Sequence, residues 1–258
     1  MTAPTGVMTL AGRHALVTGG GRGIGAAVSR ALLVRGATVT IVGRRAETLD
    51  TARKALAPHG TVVTIAADVT DPAAVERAVA RAREETGPIA ILVNNAGQAT
   101  SAPFRRTDPE LWHRMIAANL DSTYYCTRAA LPDMVAASWG RVVNVASIAG
   151  LYGHAYVTAY CAAKHGVVGL TRALAAELVG TPITVNAVCP GYTDTDMVKD
   201  GVAGIVAKTG RSADEARAGL AAVNPQKRLI HPDEVADVVA WLCLPTSSGV
   251  SGQAIVVG

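Results

Sequence analysis

The chain reads as a doubly wound α/β fold, one parallel sheet with helices on both faces. Two observations predict it. Short β-branched runs alternate with longer Ala-, Leu- and Arg-rich segments along the whole chain, and such alternation builds a parallel sheet covered on both sides. A glycine-rich turn, Thr18–Gly–Gly–Gly–Arg–Gly–Ile–Gly25, joins the first strand to the first helix. With 258 residues and 50% hydrophobic content, one domain over 1–258 can bury a single core.

The elements follow in order. His14–Thr18 is an apolar run that reads as a buried strand, and the glycine turn then opens a helix over Ile24–Gly36. Thr38–Val42 and Val62–Ala66 are β-branched strands flanking a helical stretch, Ala46–Ala57. Pro72–Thr86 and Pro109–Ala137 each start with a proline after an aspartate, the N-cap and N1 residues that open helices. Ile89–Val93 is the strand between them. Arg141–Ala146, the helix Ala159–Val179 and Thr184–Val188 complete the alternation, and the helix Pro232–Leu244 leads to a closing strand, Ala254–Val257. Tyr192–Pro225 breaks the rhythm and carries Gly201, Gly204, Gly210 and Gly219. Such sheets bind ligands at the carboxyl ends of their strands. A long insertion there predicts a mobile lid over 192–225, with a packed helical pair lacking a gating role as the alternative.

Composition excludes several classes. The net charge is +4 with 17% charged residues, and Arg44–Arg45 and Arg105–Arg106 are isolated pairs rather than a stripe. Only 4% of residues are aromatic, too few for base stacking, so no nucleic-acid partner is expected. Cys126, Cys161, Cys189 and Cys243 are scattered, without a Cys-x-x-Cys pair or a histidine at ligand spacing. Free thiols in a reducing cytosol fit this pattern better than disulfides or a metal site. Met1–Thr9 lacks the pattern of a signal peptide, Met8 is an alternative start, and no apolar run approaches the ~20 residues that span a bilayer. The expectation is a soluble, cytoplasmic protein without a membrane partner.

Tyr160 and Lys164 are four residues apart on a predicted helix, with Ser147 upstream. Positions i and i+4 share a helix face. A cation about 4 Å from a phenol is worth roughly 4 kcal/mol near a surface and could lower its pKa by up to ~3 units from ~10. Ser147 could bond the same substrate oxygen. A phenol tuned this way suits general acid or base work on a carbonyl/alcohol pair. Taken alone, the pair also fits a chance surface arrangement.

The glycine turn carries Gly19, Arg22, Gly23, Ile24 and Gly25. Glycines admit a pyrophosphate to the backbone, and the helix N-terminus offers free N–H groups and a positive dipole end. An NAD site usually has Asp or Glu at the end of the second strand. Here Gly43 is followed by Arg44 and Arg45, which could hold a 2′-phosphate with help from Arg22, so NADP(H) is favoured over NAD(H). The alternative is that both arginines begin a solvated helix face. Asp68, followed by Val69, could bond the adenine amino group or simply end its strand. Asn94–Asn95–Ala96–Gly97 could line the cofactor ribose and stabilise the sheet edge.

Together these stretches resemble the short-chain dehydrogenase/reductase family. The matching set is Thr18-Gly19-x-x-x-Gly23-x-Gly25, Asp68, Asn94-Asn95-Ala96-Gly97, Asn119, Ser147, Tyr160-x-x-x-Lys164 and Pro190-Gly191, in the family's order and spacing. The resemblance implies a Rossmann-type domain with a seven-stranded sheet, commonly a homotetramer. It implies that Tyr160 is the general acid in reduction and the base in oxidation, and that Ser147 polarises the carbonyl. Lys164 would bind the nicotinamide ribose and lower the Tyr160 pKa. Asn119 would hold a helix kink and a proton-relaying water. Thr193, through its backbone, and Thr195, through its hydroxyl, would meet the nicotinamide carboxamide. Cys161 after the tyrosine, Thr193 where an aliphatic residue is usual, and the end at Val257–Gly258 depart from the family pattern.

Gln98, Ile148–Leu151, His154, Tyr192 and Met197 are candidates for a mostly apolar substrate wall, which suits a hydrophobic ketone. The stretch Tyr160–Val188 is similar to bacterial ketoreductases acting on β-keto thioesters and polyketides. The expected activity is NADPH-dependent reduction of a β-keto thioester or a hydrophobic or cyclic ketone to a secondary alcohol. The alternatives are an NAD-linked secondary-alcohol or hydroxyacyl thioester dehydrogenase and a non-catalytic NADP-sensing regulator.

Overall fold

The computed structural model describes residues 9–258; the alternative start at Met8 lies outside the described residues. Seven strands form one parallel sheet: β1 His14–Thr18, β2 Thr38–Gly43, β3 Val62–Ala66, β4 Ile91–Asn94, β5 Gly140–Val145, β6 Ile183–Pro190 and β7 Ala254–Val257. Their order is β3-β2-β1-β4-β5-β6-β7, so the strand order reverses beside β1 and opens a crevice at the carboxyl ends of β1 and β4.

The helices are α1 Gly23–Val34, α2 Ala46–Leu56, α3 Pro72–Thr86, α4 Pro109–Ile116, α5 Ser122–Ala136, α6 Thr158–Glu177, α7 Asp196–Thr209, α8 Ala213–Ala221 and α9 Pro232–Cys243. Alternate strand residues face opposite layers. Ala15, Val17, Val39, Ile41 and Val93 pack with Val28 and Leu32 of α1 and Val235 and Val239 of α9. Leu16, Leu92, Val142 and Val185 pack on the other face with Val75 and Val79 of α3 and Ala130 and Met134 of α5. Covering both faces leaves β1, β4, β5 and β6 buried along their length, which is why they read as apolar runs rather than alternating ones.

The predicted helix starts hold: the Asp71 and Asp108 carboxylates accept from the amides of Ala73 and Leu111, at 2.9 and 2.7 Å. The single helix expected over Pro109–Ala137 does not. It divides into α4 and α5 around a wide π-helical turn, Ala117–Asp121, stabilised by the Asn119 side chain. β4 starts at Ile91 instead of Ile89 because the Ile89 amide donates to the Asp133 carboxylate, at 2.9 Å, instead of to a neighbouring strand. The insertion after β6 folds as the helices α7 and α8. Gly210, at φ +71°, ends α7 in the left-handed conformation, and Ser212 and Glu215 form a capping box that opens α8. No helix among the described residues is long and apolar enough to cross a membrane.

Candidate active site

The site forms where the carboxyl ends of β1, β4, β5 and β6 meet. The Thr18 hydroxyl accepts from the amides of Asn95 and Ala96, each at 3.0 Å. The Asn95 side chain donates back to the carbonyls of Thr18 and Gly19, at 3.0 and 3.2 Å. These bonds join the glycine turn to the Asn94–Gly97 segment. Behind them, the Asn94 amide donates to Thr127 Oγ1 and Asn144 Oδ1, both at 2.9 Å, and Asn144 donates to Thr171 Oγ1 at 2.9 Å. A buried polar ladder therefore runs under the site.

The glycine turn is built for close approach. A Cβ on Gly25 would collide with the Gly19 carbonyl, so only glycine lets the helix start this near the strand. Arg22 is the N-cap of α1 and makes no side-chain capping bond, which leaves the first-turn amides free for an anion. Arg44 and Arg45 are exposed, and among the described residues neither forms an ion pair. These features fit a dinucleotide cofactor. Asp68 is exposed and one of its oxygens accepts from the Thr70 amide and hydroxyl, at 3.0 and 2.8 Å. It therefore shapes the turn after β3 through one oxygen and keeps the other available. Val69 packs against the core beside it.

Ser147 begins a short 3₁₀ turn after β5, where its hydroxyl accepts from the Ala149 amide at 3.1 Å. Tyr160 and Lys164 lie on one face of α6, with Lys164 Nζ 5.7 Å from the Tyr160 ring centroid. The Lys164 ammonium donates to the Val145 carbonyl at 2.8 Å and is 4% exposed. Burial pushes the Tyr160 phenol up to about 12, although a hydrogen bond with Ser147 pulls the other way. Burial also draws Lys164 down to about 8. The expected lowering of the Tyr160 pKa is thus reversed here, because loss of water around the phenol outweighs an ammonium committed to a backbone carbonyl.

Asn119 is fully buried. Its amide donates to the carbonyls of Gln98 and Met115, both at 2.9 Å, and its Oδ1 accepts from the Gln98 amide at 3.2 Å. It therefore clamps the loop after β4 against the π-helical turn. A Cβ on Gly97 would lie 3.7 Å from Lys164 Nζ, which brings Gly97, Asn119 and Lys164 to one point.

The last wall comes from the segment after β6. Pro190 closes that strand and the Gly191 amide donates to the Val257 carbonyl at 2.9 Å. Thr193 pairs with Ile230 as an isolated parallel bridge, and the Thr195 hydroxyl donates to the Thr193 carbonyl at 3.3 Å. A Cβ on Gly23 would sit 3.2 Å from Thr195 Cγ2, so this segment reaches the glycine turn. Ile24 follows in the first turn of α1 and packs on the main core.

The chain matches the short chain dehydrogenase model over residues 13–204. It belongs to the short-chain dehydrogenase family. It is 41% identical over 247 residues to the cis-4-hydroxycyclohexanecarboxylate dehydrogenase of Sinomonas cyclohexanicum, covering 95% of this chain and 94% of that one. It is 35% identical over 248 residues to the 3-oxoacyl-(acyl-carrier-protein) reductase of Vibrio harveyi, covering 96% of each. Among solved structures, a variant actinorhodin polyketide ketoreductase with NADPH superposes with a TM-score of 0.92 at 37% identity, covering 95% of both chains. The resemblance to bacterial ketoreductases is thereby borne out, and the chain is an oxidoreductase acting on a CH–OH/C=O pair.

Within this short-chain dehydrogenase, the substrate-wall candidates separate. Gln98 is held through its backbone by Asn119, and Ile148 lies on the turn beside Ser147. Tyr192 is close enough to Tyr160 to add to the cost of ionising the Tyr160 phenol. The His154 Nε2 is buried and has no hydrogen-bond partner, while its carbonyl faces Cys161 Sγ at 4.0 Å. Met197, on α7, is 43% exposed and faces solvent. Cys161 is buried, as are the other three cysteines, and all four are free. Sequence reasoning missed Asn224. It is 1% exposed, donates to the carbonyls of Tyr192 and Arg228 at 2.9 and 2.7 Å, and accepts from the Tyr192 amide at 2.9 Å. Its lone signal, an Asn before Pro225, is what any loop offers.

Proposed function

We propose that this enzyme reduces a ketone to a secondary alcohol with NADPH, the ketone being a β-keto thioester or a hydrophobic or cyclic carbonyl compound. The observation that carries the reading is the half-buried Ser147–Tyr160 pair with the buried Lys164 one turn along α6. A phenol pushed up to about 12 is fully protonated at neutral pH. It is therefore in the form that donates a proton to the oxygen of a carbonyl undergoing reduction. A nicotinamide cofactor supplies the hydride when bound. Ser147 holds the same oxygen, and Lys164 places a positive charge beside the developing alkoxide, the arrangement that stabilises charge as it forms. Asn119 fixes the loop that completes the Lys164 environment.

Gly19, Gly23, Ile24 and Gly25 would hold the pyrophosphate, and Arg44 and Arg45, with Arg22, the 2′-phosphate. Asp68 and Val69 would meet the adenine; Asn95, Ala96 and Gly97 the ribose; Pro190, Gly191, Thr193 and Thr195 the carboxamide. The 192–225 insertion would act as the lid, and the enzyme as a homotetramer. The test is NADPH oxidation over a ketone panel. Turnover that prefers NADPH and disappears with Tyr160→Phe supports this reading, and oxidation of alcohols with NAD alone would replace it by the dehydrogenase.

A further inference from the structure

We propose that Asp196 sets part of the cofactor preference by competing with the 2′-phosphate for Arg22. The inference rests on the reading of Arg22, Arg44 and Arg45 as the phosphate-binding set, and it adds a residue from the other side of the cleft. Arg22 Nη1 lies 3.6 Å from Asp196 Oδ2, and the two side chains are 58 and 49% exposed. Asp196 is the first residue of α7, so the pair ties the glycine turn to the insertion. Pairs this exposed are weak and exchange readily.

Three details make the competition specific. Among the described residues Arg44 and Arg45 form no ion pair, so Arg22 is the one member of the set already engaged. Thr195 Cγ2 also approaches Gly23, where an added Cβ would lie 3.2 Å away, so Arg22 is not the only contact between the glycine turn and the start of α7. Lys199 Nζ lies 3.3 Å from Asp196 Oδ1 and can compensate the carboxylate once Arg22 turns away. At its other end α7 is held by Lys208, which donates to the Ser101 carbonyl at 3.1 Å. A ligand carrying a 2′-phosphate thus takes Arg22 from α7 and frees only the near end of the helix. A ligand without that phosphate leaves the Arg22–Asp196 pair in place.

The test is calorimetric binding of 2′,5′-ADP and 5′-AMP to the wild type, Asp196→Asn, Arg22→Ala and the double variant. Asp196→Asn is expected to tighten 2′,5′-ADP by about two- to fivefold, the worth of one exposed pair. It should leave 5′-AMP unchanged and show no gain on the Arg22→Ala background. In the wild type, amide exchange over residues 196–200 should quicken with 2′,5′-ADP and stay unchanged with 5′-AMP. Equal changes for both ligands, no change, or a gain that survives without Arg22 would overturn the proposal. Arg44→Ala separates the two layers. If it weakens 2′,5′-ADP while Asp196→Asn does nothing, the phosphate set stands and the role of Asp196 falls. If the wild type binds both ligands equally, both fall.

Discussion

Lys164 Nζ lies 5.7 Å from the centroid of the Tyr160 ring, yet its proton goes to the Val145 carbonyl, 2.8 Å away. The ammonium is therefore near the phenol without being its partner. Burial drives the two groups apart, Tyr160 up to about 12 and Lys164 down to about 8. The consequence is directional. At neutral pH the phenol holds its proton and Lys164 holds its charge, which suits reduction.

Reductive kcat/KM should therefore stay level below pH 8 and fall above it as Lys164 loses its charge. Oxidative kcat/KM should climb through the alkaline range as the phenol ionises. The two profiles, measured on one ketone/alcohol pair, check this; an oxidative rate level from pH 7 to 10 speaks against it.

Arg44→Asp combined with Arg45→Ala should erode NADPH affinity by about a hundredfold or more, since two charge-assisted bonds at ~1.5–3 kcal/mol each are removed. NADH affinity should change little. Dissociation constants from nucleotide fluorescence decide it, and equal losses for the two cofactors would dismiss the assignment.

Asn224→Ala should destabilise the fold by roughly 2–4 kcal/mol, because it strands the Tyr192 amide and the Arg228 carbonyl, while the Tyr192 carbonyl keeps only the Ile230 amide. The urea midpoint reads this out. Since the loop after β6 also shapes the substrate wall, KM for the ketone should rise in the variant at temperatures where it remains folded.

His14 offers a pH test of stability. Its Nδ1 lies 2.7 Å from the Gly87 carbonyl and its Nε2 2.9 Å from Thr40 Oγ1. A carbonyl only accepts, so Nδ1 carries the proton and the neutral ring accepts from Thr40. Burial lowers its pKa below 6.5. The unfolded chain then binds the proton more readily, so stability held above pH 6.5 is lost as pH falls below it. Urea midpoints between pH 7.5 and 5 should fall more steeply for the wild type than for His14→Asn.

Much of this molecule was legible in its sequence. β1, β3 and β7 and the start of α3 match the expected bounds, because buried parallel strands and Asp–Pro helix starts leave strong local signals. The break at Ala117–Asp121 was not legible. The residues there are ordinary helix formers, and the wide turn depends on Asn119 reaching Gln98, 21 residues away. The direction of the Tyr160 shift was missed for a similar reason. Helical spacing brings the phenol and ammonium together, but which carbonyl receives the ammonium and how far the ring is buried are decided by β5 and the loop around Ser147. Asn224 likewise acts through backbone groups of a distant segment. The residues themselves were visible; their partners were set by tertiary packing.

The most direct test of the central claim is NADPH oxidation against acetoacetyl thioesters and cyclic, aryl and aliphatic ketones, with NADH and Tyr160→Phe in parallel. Turnover should prefer NADPH and drop by about 10²–10⁴-fold in Tyr160→Phe, while NADPH still binds the variant. Retained turnover in Tyr160→Phe would contradict the role of the phenol, and silence across the panel with NADPH bound would contradict the reductase.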